Sequence, residues 1–117
     1  MSQRVVSSRF PYLPVHLDVG GHTEDVEALL DTGFDGDVAV PPSMVPGGQP
    51  PDFLETWTLA DGTQLVVSTF LGSAQIGGLP AFRIALTALG DEPLVGRGVS
   101  DRFRITLDHG QHLILEP

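Results

Sequence analysis

The chain has 117 residues, of which 41% are hydrophobic, and 15 acidic against 6 basic side chains give it a formal net charge of −9. This length predicts a single domain over residues 1–117, which buries only about two thirds of its unfolded surface and so leaves room for association as a second source of stability. The charge argues against nucleic acid and membrane surfaces as partners, and the absence of cysteine excludes disulfides, thiolate metal sites and a cysteine nucleophile.

No targeting or membrane segment is visible in the sequence. The two arginines near the N-terminus are not followed by an apolar run long enough for a secretory signal. No stretch approaches the roughly 20 apolar residues of a membrane-spanning helix. We therefore expect a soluble, cytoplasmic protein.

Apolar and polar residues alternate with a period of two along most of the chain, which is typical of β-strands with one buried face. A first hairpin is predicted over residues 12–30, turning at Gly20-Gly21, where glycine supplies the positive φ values of a tight turn. Pro41-Pro42 opens a stretch rich in proline and glycine that runs to residue 52 and predicts a surface loop.

Two more hairpins are predicted in the middle of the chain. Residues 54–59 and 65–70 flank a turn that contains Asp-Gly, one of the strongest hairpin signals, and this hairpin is expected to project. Residues 71–76 and 79–86 flank Gly77-Gly78, a further candidate for a two-residue turn.

The last predicted elements are one turn of helix and a terminal hairpin. Ser100 is a candidate helix cap for residues 100–103, and strands are predicted at 104–108 and 112–115 around His109-Gly110. Helix content should then stay below about a fifth of the chain. The pattern as a whole indicates an all-β fold.

The segment with the clearest chemical content is Asp31-Thr32-Gly33, in which a strongly apolar strand ends on an acid, a hydroxyl and a glycine. The glycine allows the backbone to turn sharply, so that the acid can face a ligand. This pattern suggests a catalytic acid. The same three residue types also favour turns, so an ordinary end of a strand is the alternative when the tripeptide is considered alone.

About 60 residues further on comes Leu94-Val95-Gly96-Arg97, two apolar residues followed by glycine and arginine. Together with Asp31-Thr32-Gly33 and the hairpin around Asp61-Gly62, this order resembles the retropepsin-like aspartic proteases, in particular their small bacterial members. In that family an Asp-Thr-Gly loop precedes a flap hairpin, an apolar-apolar-Gly strand, a helix and a terminal strand. The resemblance implies an all-β, retropepsin-like closed barrel with a flap hairpin and one short C-terminal helix.

The resemblance also implies an aspartic endopeptidase that acts on a peptide or protein substrate and needs no cofactor. Hydrolysis by water requires both a base and an acid, yet the chain has one Asp-Thr-Gly, so a homodimer is expected to complete the site. Two copies of Asp31 about 3 Å apart cannot both ionise and would share one proton. One carboxyl then serves as base and the other as acid.

Further roles follow from the same resemblance. Thr32 is expected to bond across the dimer, and Gly33 to contact the substrate through its carbonyl group. Residues 56–69 are expected to close over the substrate as a flap. The implied substrate-binding residues are Gly33, Asp35, Ala60, Asp61 and Gly62.

Two features are expected to hold the dimer together. Asp35 resembles the family acid that pairs with the arginine after the apolar-apolar-Gly strand, here Arg97, in a fork-shaped contact that braces the dimer. The terminal strands, at residues 3–9 and 111–115, are expected to form much of the contact between the two chains.

The sequence departs from the usual family pattern at three places. Gly98 follows the arginine where many relatives have Asp or Asn, and it is expected to soften the start of the helix. Phe34 replaces a smaller residue after the Asp-Thr-Gly, and the flap tip Asp61-Gly62 has fewer glycines and carries a charge. These departures keep open an alternative function, a non-catalytic dimeric binding or assembly module with a retropepsin-like fold.

Several other interpretations carry less weight. His109 and His112 beside Asp108 would suggest a metal site only on a helix, and this segment is predicted to be a strand hairpin. The acids at positions 31, 35 and 37 lack the spacing of a calcium loop, so no metal site is expected. Trp57 is expected either to line the inner side of the flap or to fill the core, and core packing is the preferred interpretation. A monomeric barrel that binds a small ligand is a third, weaker hypothesis.

Overall fold

The computed structural model describes residues 3–45 and 47–117. Within these residues the chain forms ten strands, one 3₁₀ turn and one short helix. In chain order they are β1 (Val5–Ser7), β2 (Tyr12–Val19), β3 (His22–Leu30), β4 (Val38–Val40), the 3₁₀ turn (Pro42–Met44), β5 (Phe53–Thr58), β6 (Gln64–Gln75), β7 (Phe82–Ala88), β8 (Leu94–Val95), α1 (Arg97–Ser100), β9 (Arg104–Asp108) and β10 (His112–Glu116).

Six strands close into a barrel. Their order is β2-β3-β8-β4-β7-β6, and the far end of β6 pairs back with β2 where Leu17 lies opposite Ala74. The near end of β6 pairs with β5 instead, so these two strands extend beyond the barrel as a hairpin. The closed all-β barrel and the short helix predicted from the sequence are confirmed, and the hairpin predicted around Asp61-Gly62 projects from the barrel.

The core lies inside the barrel and follows from the period-two pattern. In β2 the alternate residues Leu13, Val15, Leu17 and Val19 are at most 4% exposed, while the residues between them face outward. Side chains of a strand point to opposite faces in turn, so one apolar residue in two is enough to line the interior. The first hairpin therefore forms as predicted.

The predicted third hairpin forms as the antiparallel pair of β6 and β7, but its first strand needs correction, because residues 64–75 form one continuous strand that belongs to both the second and the third hairpin. At Gly72 this strand passes close to β2, and an added Cβ would lie 2.5 Å from the carbonyl oxygen of Asp18. A glycine inside a strand commonly marks such a close approach of two backbones. One strand therefore serves both the projecting hairpin and the barrel.

The helix also begins earlier than predicted. It spans Arg97–Ser100 with Gly96 at the N-cap, so Ser100 ends the helix instead of capping it. No side chain caps this helix, but the backbone N–H groups of Arg97 and Gly98 donate to carbonyl groups of residues 34 and 36. These tertiary hydrogen bonds satisfy N–H groups at the start of the helix that would otherwise donate to a capping side chain.

A second sheet contains the two terminal strands in the order β1-β10-β9. The strands expected to contact a partner thus pair with each other within one chain, with Val5 opposite Leu115. Leu113 and Leu115 of the central strand are fully buried and belong to the main core. Among the described residues, no helix is long and apolar enough to cross a membrane.

Candidate active site

Asp31 directly follows the last residue of β3, and backbone bonds hold it in place. Its N–H donates to the carbonyl of Val95 in β8 at 2.9 Å. Its Oδ1 accepts a hydrogen bond from the N–H of Gly33 at 2.9 Å, and the N–H of Phe34 donates back to its carbonyl at 3.2 Å. The half-buried carboxyl is therefore oriented by its own loop.

Backbone hydrogen bonds connect the loop of residues 31–37 to β8 and to the residues directly after it. β8 lies parallel to β3 and antiparallel to β4, so it runs between the two strands that flank the loop. Just beyond β8, the N–H of Gly96 donates to the carbonyl of Asp37 at 2.8 Å, and the N–H of Arg97 donates to that of Phe34 at 2.9 Å. The apolar-apolar-Gly segment thus fixes both ends of the loop, and a site held by such backbone bonds is preorganised.

Phe34, the bulky residue after the Asp-Thr-Gly, is packed between two glycines. A Cβ added at Gly96 would lie 2.5 Å from Cδ2 of the Phe34 ring, and one added at Gly36 would lie 2.5 Å from its Cζ. Real Cβ atoms do not approach other atoms so closely, so neither position has room for a side chain. Phe34 is 8% exposed, and the two glycines make its burial possible.

Gly98, another departure from the family pattern, has a packing reason. The Asp37 carboxylate occupies the space that a Cβ at residue 98 would need. That carboxylate is held in place because its Oδ2 accepts a hydrogen bond from the N–H of Ala85 in β7 at 2.8 Å. The residue pair Asp37 and Gly98 therefore fits together as a unit at the start of α1.

The hairpin of β5 and β6 closes at residues 59–63. The N–H of Leu59 donates to the carbonyl of Thr63 at 2.8 Å, and Gly62 has a φ of +87°, a conformation that favours glycine. Asp61 accepts a hydrogen bond from the backbone N–H of Thr63 at 2.8 Å.

Hydrogen bonds from Thr63, its side chain first and its backbone second, lower the pKa of Asp61 below its ordinary value of 3.8. The ionised carboxylate supports the turn fully above that ordinary value, and this support is lost only as the pH falls through the lowered pKa. The tip of the hairpin therefore stays negatively charged at mildly acidic pH.

A cavity of about 490 Å³ lies between the Asp31 loop and this hairpin. The loop contributes Asp31, Gly33, Phe34 and Asp35, the hairpin contributes residues 56–60, and Leu89 and Leu94 complete the lining. A carboxyl group thus faces an open cleft that is covered by a projecting hairpin.

The structure places only part of the predicted substrate-binding set at this cavity. Gly33, Asp35 and Ala60 line it together with Asp31, whereas Asp61 and Gly62 form the hairpin tip beyond the lining. Thr32 is exposed on the loop and does not line the cavity.

The expected pairing of Asp35 with Arg97 is not formed within the chain. The Nη2 of Arg97 lies 3.2 Å from the Oδ2 of Asp101, and both side chains are exposed. Arg97 begins α1, so the residue four positions later lies on the same side of the helix. In the part of the chain that the structure describes, Asp35 forms no ion pair with any basic side chain.

Of the two places predicted for Trp57, the structure shows the inner side of the β5–β6 hairpin, and the preferred core position is wrong. Its ring lies on the cavity, 5.1 Å from the ring of Phe34 between centroids and tilted by 41°. Its Nε1 is buried and lacks a hydrogen-bond partner. The period-two pattern of burial could have located Trp57 on the inner face of the hairpin. Glu55 and Trp57 are the half-buried positions of β5, while their neighbours are exposed.

The terminal hairpin turns at residues 109–111, so His109 lies in the turn with a φ of +54° and His112 begins β10. His109 Nδ1 lies 2.6 Å from Asp108 Oδ1, and His112 Nδ1 lies 3.9 Å from the other carboxylate oxygen. Over residues 3–45 and 47–117, no group of three or more potential ligands is arranged to hold a metal ion.

Comparison with solved structures identifies the fold, whereas comparison with sequences gives no match. No profile of a known protein family matches the sequence, and no curated protein matches it. Among solved structures, a retropepsin-like aspartic protease from Rickettsia conorii aligns with 99% of this chain and 92% of its own, with a TM-score of 0.68 and 20% sequence identity. The chain therefore has the retropepsin-like fold, as the order of its motifs predicted.

Proposed function

We propose that the chain is an aspartic endopeptidase that hydrolyses peptide bonds as a homodimer, with Asp31 of each protomer acting on the same water molecule. The observation that carries this proposal is the cleft between the Asp31 loop and the hairpin, in a chain with the retropepsin-like fold. The Rickettsia conorii protein with the same fold is a retropepsin-like aspartic protease.

The chemistry requires two carboxyl groups in different protonation states. The ionised one takes a proton from the attacking water, while the protonated one gives its proton to the carbonyl oxygen. When the C–N bond breaks, the first carboxyl passes the proton from water to the leaving nitrogen, and the second takes a proton back from a hydroxyl group of the tetrahedral intermediate. The N–H of Gly33, which donates to Asp31 Oδ1, orients each carboxyl for this task. One chain supplies a single Asp-Thr-Gly, so the second group comes from the partner.

In this proposal the substrate binds in extended form between the loop and the hairpin. Gly33 contacts its backbone from below, and the hairpin with Ala60, Asp61 and Gly62 closes from above as a flap that excludes water. Asp35 borders the same cleft and is exposed, so it can reach polar groups of the substrate.

Thr32, Asp35 and Arg97 would act between protomers. All three are exposed in the single chain, and Arg97 has only the exposed Asp101 as its ion-pair partner. An exposed pair of this kind contributes little to stability, so Arg97 is free to exchange it for the partner's carboxylate. We therefore place the fork-shaped contact with Asp35 across the dimer.

The terminal sheet limits how the two chains can join. β10 already has a strand on each side, so a partner can extend this sheet only along the free edge of β1 or of β9. Removing residues 113–117 would delete Leu113 and Leu115 from the core, and so such a truncation would unfold the chain. Dimerisation is better tested with point variants.

We expect the full chain to cleave members of a library of unstructured peptides, at a rate that peaks between roughly pH 4 and pH 6. The rate should fall at higher pH, where both carboxyls are ionised, and at lower pH, where both are protonated. The measurement is the initial rate of product formation, followed by mass spectrometry across the pH range.

The same experiment distinguishes the alternative function. A chain that forms dimers and binds peptides but cleaves none of them at any pH contradicts the peptidase proposal. That result would favour the non-catalytic binding or assembly module.

A further inference from the structure

We propose that Phe34 and Trp57 together restrict the side-chain subsite beside Asp31, so that each protomer's half of the cleft accepts only Gly, Ala or Ser at one position of the substrate. This inference rests on the proposed function and specifies the substrate class. It is carried by the packing of two aromatic rings on the cleft, one on the loop and one on the flap.

The Phe34 ring, which forms one wall of this subsite, cannot move away from the substrate. The residue comes directly after Gly33, and its ring is backed by the main chain at Gly36 and Gly96, where an added Cβ would lie 2.5 Å from ring atoms in each case. The carbonyl of Phe34 is also bound by the N–H of Arg97 at 2.9 Å. A substrate side chain therefore cannot push this ring deeper, because rigid backbone lies behind it.

The Trp57 side covers the same space from above. Its ring centroid is 5.1 Å from that of Phe34, a distance at which aromatic rings are in contact, so the two rings leave no gap for a third large group.

The restriction should apply to one substrate position for each protomer of the dimer and not to the neighbouring positions. Successive side chains of an extended peptide point in opposite directions, so a single side chain faces each aromatic pair. Positions that face away from it meet other parts of the lining, such as Leu89 and Leu94, which leave apolar side chains acceptable there.

The test compares the cleavage-site profiles of the full chain and of Phe34→Ala on the same peptide library. We expect the unchanged protein to accept only small side chains at one position for each protomer, and the variant to accept Leu and Phe there with an increase of about tenfold or more. Trp57→Ala should widen the same position and decides the question if Phe34→Ala does not fold. Leu54→Ala, on the exposed face of the same hairpin strand, is the matched control and should leave the profile unchanged.

Two results would overturn the inference. One is acceptance of large side chains by the unchanged protein at every position. The other is a profile that neither Phe34→Ala nor Trp57→Ala alters.

A separate measurement applies if no peptide is cleaved, which would be a failure of the proposed function and not of the subsite. Trp57 is the single tryptophan of the chain, so its fluorescence reports directly on this cleft. The probes are pools of random hexapeptides in which each position in turn is fixed as Ala or as Phe. We expect one position for each protomer at which the Ala pool changes the fluorescence and the Phe pool does not; equal responses at every position, or no response to any pool, would contradict the restricted subsite.

Discussion

Replacing Asp31 with Asn is expected to reduce peptide cleavage on the order of 10²- to 10⁴-fold, the range lost when a general acid or base is removed. An amide cannot take a proton from water or donate one to the substrate as a carboxyl does. The fold should persist, because the Asn side-chain oxygen can still accept the hydrogen bond that Gly33 now donates to Asp31 at 2.9 Å.

The measurement is the initial cleavage rate at mildly acidic pH, together with the thermal unfolding midpoint. Asp25→Asn is the matched control, since Asp25 is 85% exposed on the first hairpin and does not border the Asp31 cleft. The Asp25→Asn protein should cleave peptides at the same rate as the unchanged protein. Equal rates for the unchanged protein and Asp31→Asn would mean that this carboxyl does not take part in the reaction.

Replacing Gly96 with Ala should be the most damaging small substitution in the chain. The added methyl group would meet the carbonyl oxygen of Phe34 at 2.6 Å and the Phe34 ring at 2.5 Å, and it would also collide with the backbone of Gly36. Backbone atoms cannot turn aside as a flexible side chain can. We expect the free energy of unfolding to fall by at least about 1–3 kcal/mol, and cleavage to be lost with the loop geometry.

Urea unfolding monitored by circular dichroism measures this change. Gly78→Ala is the control, because no atom lies within 4 Å of a Cβ at that position and its backbone does not require glycine. A Gly96→Ala protein as stable and as active as the Gly78→Ala protein would show that the backbone at Gly96 is not in close contact with the loop of residues 31–37.

The barrel was predictable because its determinants are local and repeated. Period-two alternation in β2 and the glycine turn at residues 20–21 specify a hairpin without knowledge of the rest of the chain. The order of Asp31-Thr32-Gly33, the Asp-Gly hairpin and Leu94-Val95-Gly96 then pointed to one topology. Each of these signals spans only a few residues.

The features that were missed depend on contacts between distant segments. The helix starts at Arg97 because residues 34 and 36 receive its first N–H groups, and no nearby residue signals this. β6 continues past Gly72 because a glycine there leaves room for the backbone of β2, at Asp18. Such tertiary contacts override local preference.

At the candidate site, too, the residues with local sequence signals were predictable, and those that depend on contacts between distant segments were less so. Asp31, Gly33, Asp35 and Ala60 were identified from motif positions and do border the cleft. The sequence left two positions open for Trp57, because an aromatic residue in a strand is compatible with both the core and the inner side of the hairpin, and its contact with Phe34 joins two distant segments. The pairing of Arg97 with Asp35 across a dimer stays a prediction, and within the chain Arg97 pairs with Asp101.

The most direct test is a mixing experiment, because the central claim is that two chains share each catalytic centre. The full chain is combined with an equal amount of Asp31→Asn and left until subunits have exchanged, and its cleavage rate is compared with that of the same total amount of unchanged protein. If one intact carboxyl in a dimer is inactive, the rate should fall to about a quarter, since random pairing leaves only that share of dimers with both carboxyls. A fall to only about half would show that each chain cleaves on its own and would contradict the shared site.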